Sequence, residues 1–222
     1  MLHAKFITSK KLLIAKSLNR LIHSAVFKHL PSSEHDGYRA KSGKIFKAFT
    51  FKAYYQSDTI HFYFSSINKT YEEQLALAIL QNRFQIGAVE IFKKEISIEN
   101  EKITQDSIAL EAEIAIKIKD INGKAFFLHP KDSRFYEILK NNIKERFETL
   151  LQKEFNHELD IKLIKTFKPK RFYYDRLNFT ITNAIFEFKS NPEVLEFILN
   201  AGVGANSAKG VGMMRVVDLT KI

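Results

Sequence analysis

Cysteine and tryptophan are absent from the 222 residues, proline occurs four times and glycine eight times. Without cysteine the chain has no disulfide, no thiolate nucleophile and no cysteine-ligated zinc or iron–sulfur centre. Long apolar runs are missing as well. Met1 to Leu18 alternates lysines with apolar residues and holds no uninterrupted apolar core, so it reads neither as a signal peptide nor as a membrane span. The chain is expected to be cytoplasmic, with no membrane partner. His129 and His157 have no partner spaced for metal binding, and neither a metal nor a cofactor is expected.

Phenylalanine is abundant instead, at 20 residues beside 8 tyrosines, and most of these aromatics fall in alternating runs that mark strands facing a core. With 45% hydrophobic content the chain can fill one large core or two small ones. Lysine and arginine number 35 against 25 acidic residues, a formal net charge of +10 that favours an anionic partner, nucleic acid foremost. Charge of this size also serves plain solubility.

The periodicities give an order of elements. Leu2 to Ile7 alternates as a strand, Ala15 to Leu30 has helical spacing, and a polar stretch covers Pro31 to Lys44. Ala48 to Tyr54 and Thr59 to Phe64 read as paired strands, Tyr71 to Asn82 as a helix with an acidic first turn, and Phe84 to Ile98 as a strand. The pattern then runs again: a strand at Ile108 to Ile118, a short extended piece at Ala125 to His129 and a long helix at Ser133 to Phe155. Leu159 to Phe167 and Arg171 to Phe188 form a hairpin around Lys168-Pro169-Lys170, Asn191-Pro192-Glu193 caps a helix through Leu199, and Val211 to Val217 closes as a strand. The fold class is α+β, two tandem ferredoxin-like (RRM-like) βαββαβ domains at 1–100 and 105–222.

Four of the eight glycines crowd into Gly202-Val203-Gly204-Ala205-Asn206-Ser207-Ala208-Lys209-Gly210-Val211-Gly212. Such a loop can take positive φ and turn backbone N–H groups toward a phosphate. It is not a P-loop, because Gly210 rather than Ser or Thr follows the lysine, and it lacks the strand-then-helix setting of a dinucleotide fingerprint. A flexible helix-to-strand connection is the plainer alternative.

Three stretches carry a resemblance: Gly202-Val203-Gly204 with Lys209-Gly210-Val211-Gly212; Lys168-Pro169-Lys170-Arg171-Phe172; and Leu18-Asn19-Arg20-Leu21-Ile22-His23 through Phe46-Lys47-Ala48-Phe49-Thr50-Phe51. In these the chain resembles the CRISPR-associated endoribonucleases of the RAMP superfamily, which cut precursor CRISPR RNA within its repeats. The resemblance implies two ferredoxin-like domains and metal-independent cleavage by the upstream 2′-hydroxyl, leaving a 2′,3′-cyclic phosphate and a 5′-hydroxyl. It implies His23, His35 and Lys47 as the catalytic set. It also implies RNA contacts from Gly202, Gly204, Asn206, Ser207, Lys209, Gly210 and Gly212 and from Lys168, Lys170 and Arg171. The partner is CRISPR repeat RNA or its precursor; subunits of a CRISPR effector complex are further partners it allows, and a homodimer stays open.

Histidine suits both proton transfers of such a reaction and lysine suits the charge on the phosphorane. His29 is an alternative to His23, and Arg39, Lys41 or Lys44 to Lys47. Tyr173 and Tyr174 are candidate RNA contacts on the hairpin. His3, His61, His129 and His157 read as structural, and Glu72-Glu73 and Glu111 with Glu113 as solvated charge. A non-catalytic RAMP subunit that holds guide RNA, and an unrelated basic RNA-binding protein, are the competing readings.

Overall fold

In a computed structural model, residues 1–9, 17–99 and 102–221 are described. The expected helix start at Ala15 and the first residues of the expected linker lie outside them. In chain order the elements are β1 (Leu2–Thr8), α1 (Leu18–Phe27), α2 (Ser32–Asp36), β2 (Tyr38–Arg39), β3 (Ile45–Phe46), β4 (Phe49–Gln56), β5 (Thr59–Ser66), α3 (Thr70–Leu80) and β6 (Ile91–Ile98). They continue with β7 (Ser107–Ile114), β8 (Ile116–Lys119), β9 (Ala125–Leu128), α4 (Arg134–Leu151), β10 (Asp160–Thr166), β11 (Lys170–Tyr174), β12 (Leu177–Lys189), α5 (Pro192–Ala201) and β13 (Met214–Val216).

The first sheet runs β4-β5-β1-β6 and the main path of the second β10-β12-β7-β13, so each places its four strands in the same order of succession, second, third, first, fourth. This is the ferredoxin-like arrangement twice over. On β1, Leu2, Ala4 and Phe6 are fully buried while the residues between them are half-buried, the period of two expected of a sheet with one covered face. Leu18, Ile22, Ala25 and Val26 of α1 and Leu75, Ala78 and Ile79 of α3 pack on that face with Phe49, Phe51, Phe62 and Phe64. The second core gathers Phe135, Leu139, Ile143 and Phe147 of α4 with Phe186 and Phe188 of β12 and Val194, Leu195 and Ile198 of α5. Asn191 caps α5 by accepting from the Val194 N–H at 2.9 Å, with Pro192 in the first turn.

Several boundaries differ from the sequence reading. The polar stretch at 31–44 holds α2 and β2, and β2 pairs with β3 just beyond it. The strand expected from Phe84 begins only at Ile91, as β6; Phe84 and Ile86 are buried in the first core but lie outside any strand. The strand expected over 108–118 breaks at Ala115, and its last third, β8, pairs with β9 in a separate ribbon. The long hairpin turns at Asp175-Arg176, not at Lys168-Pro169-Lys170: β10 and β11 pair in succession with the single long strand β12, and residues 167–169 are the interruption between them. The closing strand shortens to β13, since Val211 to Met213 are taken up by the loop.

The halves are tied by polar contacts. Ser65 Oγ and Lys69 Nζ donate to Asn200 Oδ1 at 3.0 and 2.7 Å, and Glu113 lies 3.1 Å from Lys52 and 2.5 Å from Lys170. Neither acidic pair is merely solvated charge. Glu72 is buried against Lys69 and the Met1 amino group, and Glu113 is mostly buried between its two lysines. No described helix is long and apolar enough to cross a membrane.

Candidate active site

His23 flanks the buried stripe of α1, one turn before Phe27. Its ring lies 4.4 Å from the Phe27 ring and meets Tyr174 of β11 edge-on at 5.5 Å. Lys209 Nζ stands 5.1 Å from the centre of the same tyrosine ring. His35, in α2, meets Phe27 edge-on at 5.0 Å, and its Nε2 is 2.9 Å from the Phe27 carbonyl oxygen. A carbonyl only accepts, so Nε2 carries the proton. Lys47 Nζ donates to the carbonyl oxygens of Glu34 and His35 at 2.6 and 2.7 Å and lies 5.5 Å from the Phe27 ring centre. Both imidazoles and the ammonium of Lys47 thus gather around one phenylalanine, and the glycine-rich loop and the hairpin reach the same place.

The segment carrying His35 is held by a buried carboxylate. Glu34 accepts from the Ala48 N–H at 3.2 Å and from the Tyr38 hydroxyl at 3.0 Å, and the Tyr38 hydroxyl is pushed up to about 12 by burial and by that carboxylate. Gly37 ends α2 at φ +75, where a Cβ would stand 2.6 Å from the Phe46 carbonyl oxygen and 2.9 Å from Lys47 Nζ. A side chain there would displace the lysine.

Burial, and then the positive charges of Lys209 and Lys47 and the neighbouring His35, lower His23 to about 4. It is therefore a neutral ring at physiological pH, able to accept a proton. Burial also lowers Lys47, partly opposed by Glu34 and Asp36.

The glycine-rich loop is built differently from the expected cradle of free amides. Gly202, Gly204, Gly210 and Gly212 are buried, and several loop N–H groups are already engaged: Val203 with the Gly212 carbonyl, Gly204 with Asn142 Oδ1, Ala205 with the Ala115 carbonyl and Gly212 with the Glu113 carbonyl, at 2.7 to 2.9 Å. The glycines allow close packing. A Cβ on Gly212 would lie 1.9 Å from the Val203 carbonyl oxygen. Loop carbonyls converge on Arg146 of α4, which donates through one terminal nitrogen to Ala201 O, Gly202 O and Ser207 Oγ and through the other to Gly204 O, at 2.7 to 3.0 Å. What the loop offers outward is the partly exposed surface of Ala205, Asn206, Ala208 and Lys209.

Beside this cluster lies a cleft of about 600 Å³ lined from both halves, with Lys44, Lys47, Lys117, Arg146 and Lys209 in its wall together with Asn141 and Asn142, and with no carboxylate among its lining residues. A strand of phosphodiesters suits such a wall.

Other expected residues stand apart. Lys170 is paired with Glu113, and Lys168, ahead of β11, and Arg171, within it, are exposed. Among the alternatives, His29 lies 3.2 Å from the Arg83 carbonyl and stacks on Phe84, Lys44 pairs with Glu145 at 2.6 Å, and Arg39 donates to the Gly43 carbonyl. His129 and His157 serve local turns and packing, while His3 and His61 stack with Tyr63 and Tyr54 on the face of the first sheet away from α1. Glu34 and Arg146 escaped the sequence reading. The signal for the second was present: Asn142 and Arg146 stand at the spacing of the α4 apolar stripe, and both reach the loop.

Residues 108–216 match the model of the CRISPR-associated protein Cas6 C-terminal family. A CRISPR-associated endoribonuclease Cas6 of Methanocaldococcus jannaschii is 24% identical over 164 residues, 71% of this chain and 64% of that protein, so the match leaves more than a third of the relative uncovered. Among solved structures, a Cas6-related protein from Pyrococcus furiosus superposes with a TM-score of 0.78 at 18% identity, covering 98% of both chains. One described as a RAMP protein binding different RNA substrates does so with a TM-score of 0.75 at 16% identity, covering 98% of this chain and 99% of that one.

Proposed function

We propose, on the match of residues 108–216 to the Cas6 C-terminal family, that the protein is an endoribonuclease that cuts precursor CRISPR RNA within its repeats by proton transfer alone. The observation that supports this reading best is the meeting of His23, His35 and Lys47 with Lys209 and Tyr174 at the edge of a cleft lined without carboxylates.

In this mechanism the 2′-oxygen of the nucleotide before the cut attacks the adjacent phosphorus. The new 2′-O–P bond forms as the P–O5′ bond breaks, which yields a 2′,3′-cyclic phosphate and a 5′-hydroxyl. Neutral His23 takes the 2′-hydroxyl proton and the imidazolium form of His35 delivers one to the 5′-oxygen. Lys47 and Lys209 oppose the charge that grows on the phosphorane oxygens. Substrate binding assists the base: burial is the main cause of the low His23 value, and a phosphodiester beside these lysines offsets the positive charge that adds to it, which raises the proton affinity of His23.

The test is cleavage of repeat RNA by purified protein in EDTA. Cutting that persists there and vanishes with a 2′-deoxy nucleotide before the cut supports the mechanism; loss of cutting in EDTA refutes it. Tight binding of repeat RNA with no cutting under any condition assigns the protein instead to the non-catalytic subunits that hold guide RNA.

A further inference from the structure

We infer that Arg146 is the positioning residue of this site: one buried guanidinium shapes the glycine-rich loop and seats it against the Phe46-Lys47 segment, so that Lys209 and Lys47 are both held in register with His23. The inference rests on the proposed function for its consequence in catalysis, but not for its geometry.

Arg146 is 2% exposed. Its four hydrogen bonds go to three carbonyls and a hydroxyl of residues 201–207, and among the described residues no carboxylate pairs with it. Burying a cation without a counter-charge is costly, and among the described residues its Nε has no partner. A site that existed only to stabilise the core would be served better by an apolar side chain at this point of α4. The guanidinium carbon lies 5.1 Å from the centre of the Phe46 ring, and Phe46 is bonded directly to Lys47. On its other side the loop turns its carbonyls inward onto the guanidinium, and the short 3-10 turn Ser207–Lys209 that follows presents Lys209 to Tyr174 and His23. Asn142, one turn earlier on α4, takes the Gly204 N–H and completes the grip. Lysine cannot replace this function, since its three donors radiate from a single point and the four acceptors are met here by two nitrogens of a rigid fork.

Arg146→Lys and Ser207→Ala test the idea, the second removing one acceptor with no change of charge. The first readout needs no RNA: the His23 ring, labelled and titrated by NMR. The groups facing it are Lys209 from the loop, Lys47 ahead of β4, His35 from α2 and Tyr174 from β11. If Arg146 holds the two lysines in place, His23 in the folded Arg146→Lys protein titrates closer to the ordinary histidine value, and Ser207→Ala shifts it the same way by less. The second readout is single-turnover cleavage, expected to fall roughly 100-fold in Arg146→Lys. Should Arg146→Lys not fold, the Ser207→Ala titration decides alone. A folded Arg146→Lys that melts earlier but leaves His23 titrating as in the parent overturns the inference, as does an unmoved His23 in Ser207→Ala. Should the protein prove unable to cut RNA, the titrations still stand or fall by themselves.

Discussion

A histidine held near 4 ties folding to pH as well as chemistry to position. His23 has a folded value below its unfolded one, so the unfolded chain takes up a proton first as the pH falls. Its contribution to stability is whole above about 6.5, declines as the pH drops from there toward 4, and declines no further below. Burial lowers His3 and His61 as well, which adds to the same slope. Denaturant unfolding between pH 7 and 4 should therefore show a shallower loss of stability in His23→Gln than in the parent. His35→Ala should slow single-turnover cleavage by about two to four orders of magnitude and leave RNA affinity nearly unchanged. Equal rates for variant and parent would remove His35 from the mechanism. The gathering of His23, His35 and Lys47 was legible only through the family resemblance, because nothing in the spacing of residues 23, 35 and 47 implies that they share Phe27. The place of Arg146 at the spacing of the α4 apolar stripe was legible but its role was not, since an arginine in an amphipathic helix ordinarily reaches for water.

Elements were easier to read than their ends. Alternation located the sheet strands and the 3.6-residue period located the main helices, yet the run Ile108 to Ile118 keeps its alternation straight through Ala115, where the sheet ends. The break is imposed from a distance, by the loop that places the Ala205 N–H on the Ala115 carbonyl. The turn at Asp175-Arg176 lacked the usual glycine, and Asp175 itself takes the left-handed conformation at φ 51. Two glycines make a graded test, one in the loop and one in the turn between β2 and β3. Gly212→Ala meets the Val203 carbonyl and should cost more than about 2 kcal/mol. Gly43→Ala has open space at φ +83 and should cost about 1 kcal/mol from backbone conformation alone. Urea melts of the two variants check the order, and equal losses would mean that packing in the loop is softer than the distances imply.

Across the whole molecule, periodicity anticipated two tandem ferredoxin-like units, but not how they meet. The contacts joining them link residues far apart in the chain, such as Ser65 with Asn200, Thr50 with Ser207 and Lys52 with Glu113, and local pattern carries no trace of such pairs. The cleft between the units makes a prediction at this scale. If Lys117 meets a phosphate there, Lys117→Ala should weaken binding of repeat and scrambled RNA alike and reduce the slope of log affinity against log salt by about 0.7. An unchanged slope would place the RNA elsewhere. The loop has one more consequence through where it sits. It lies against Thr50 and Phe51 of β4, which forms one rim of the first sheet, while the opposite rim, β6, carries Lys93, Lys94 and Glu95. One rim is shielded by covering and the other by charge, the two ordinary defences against edge-to-edge aggregation. A molecule whose loop has come away from α4 therefore presents a bare strand to its neighbours, and turbidity on storage would report that loosening before any unfolding is seen.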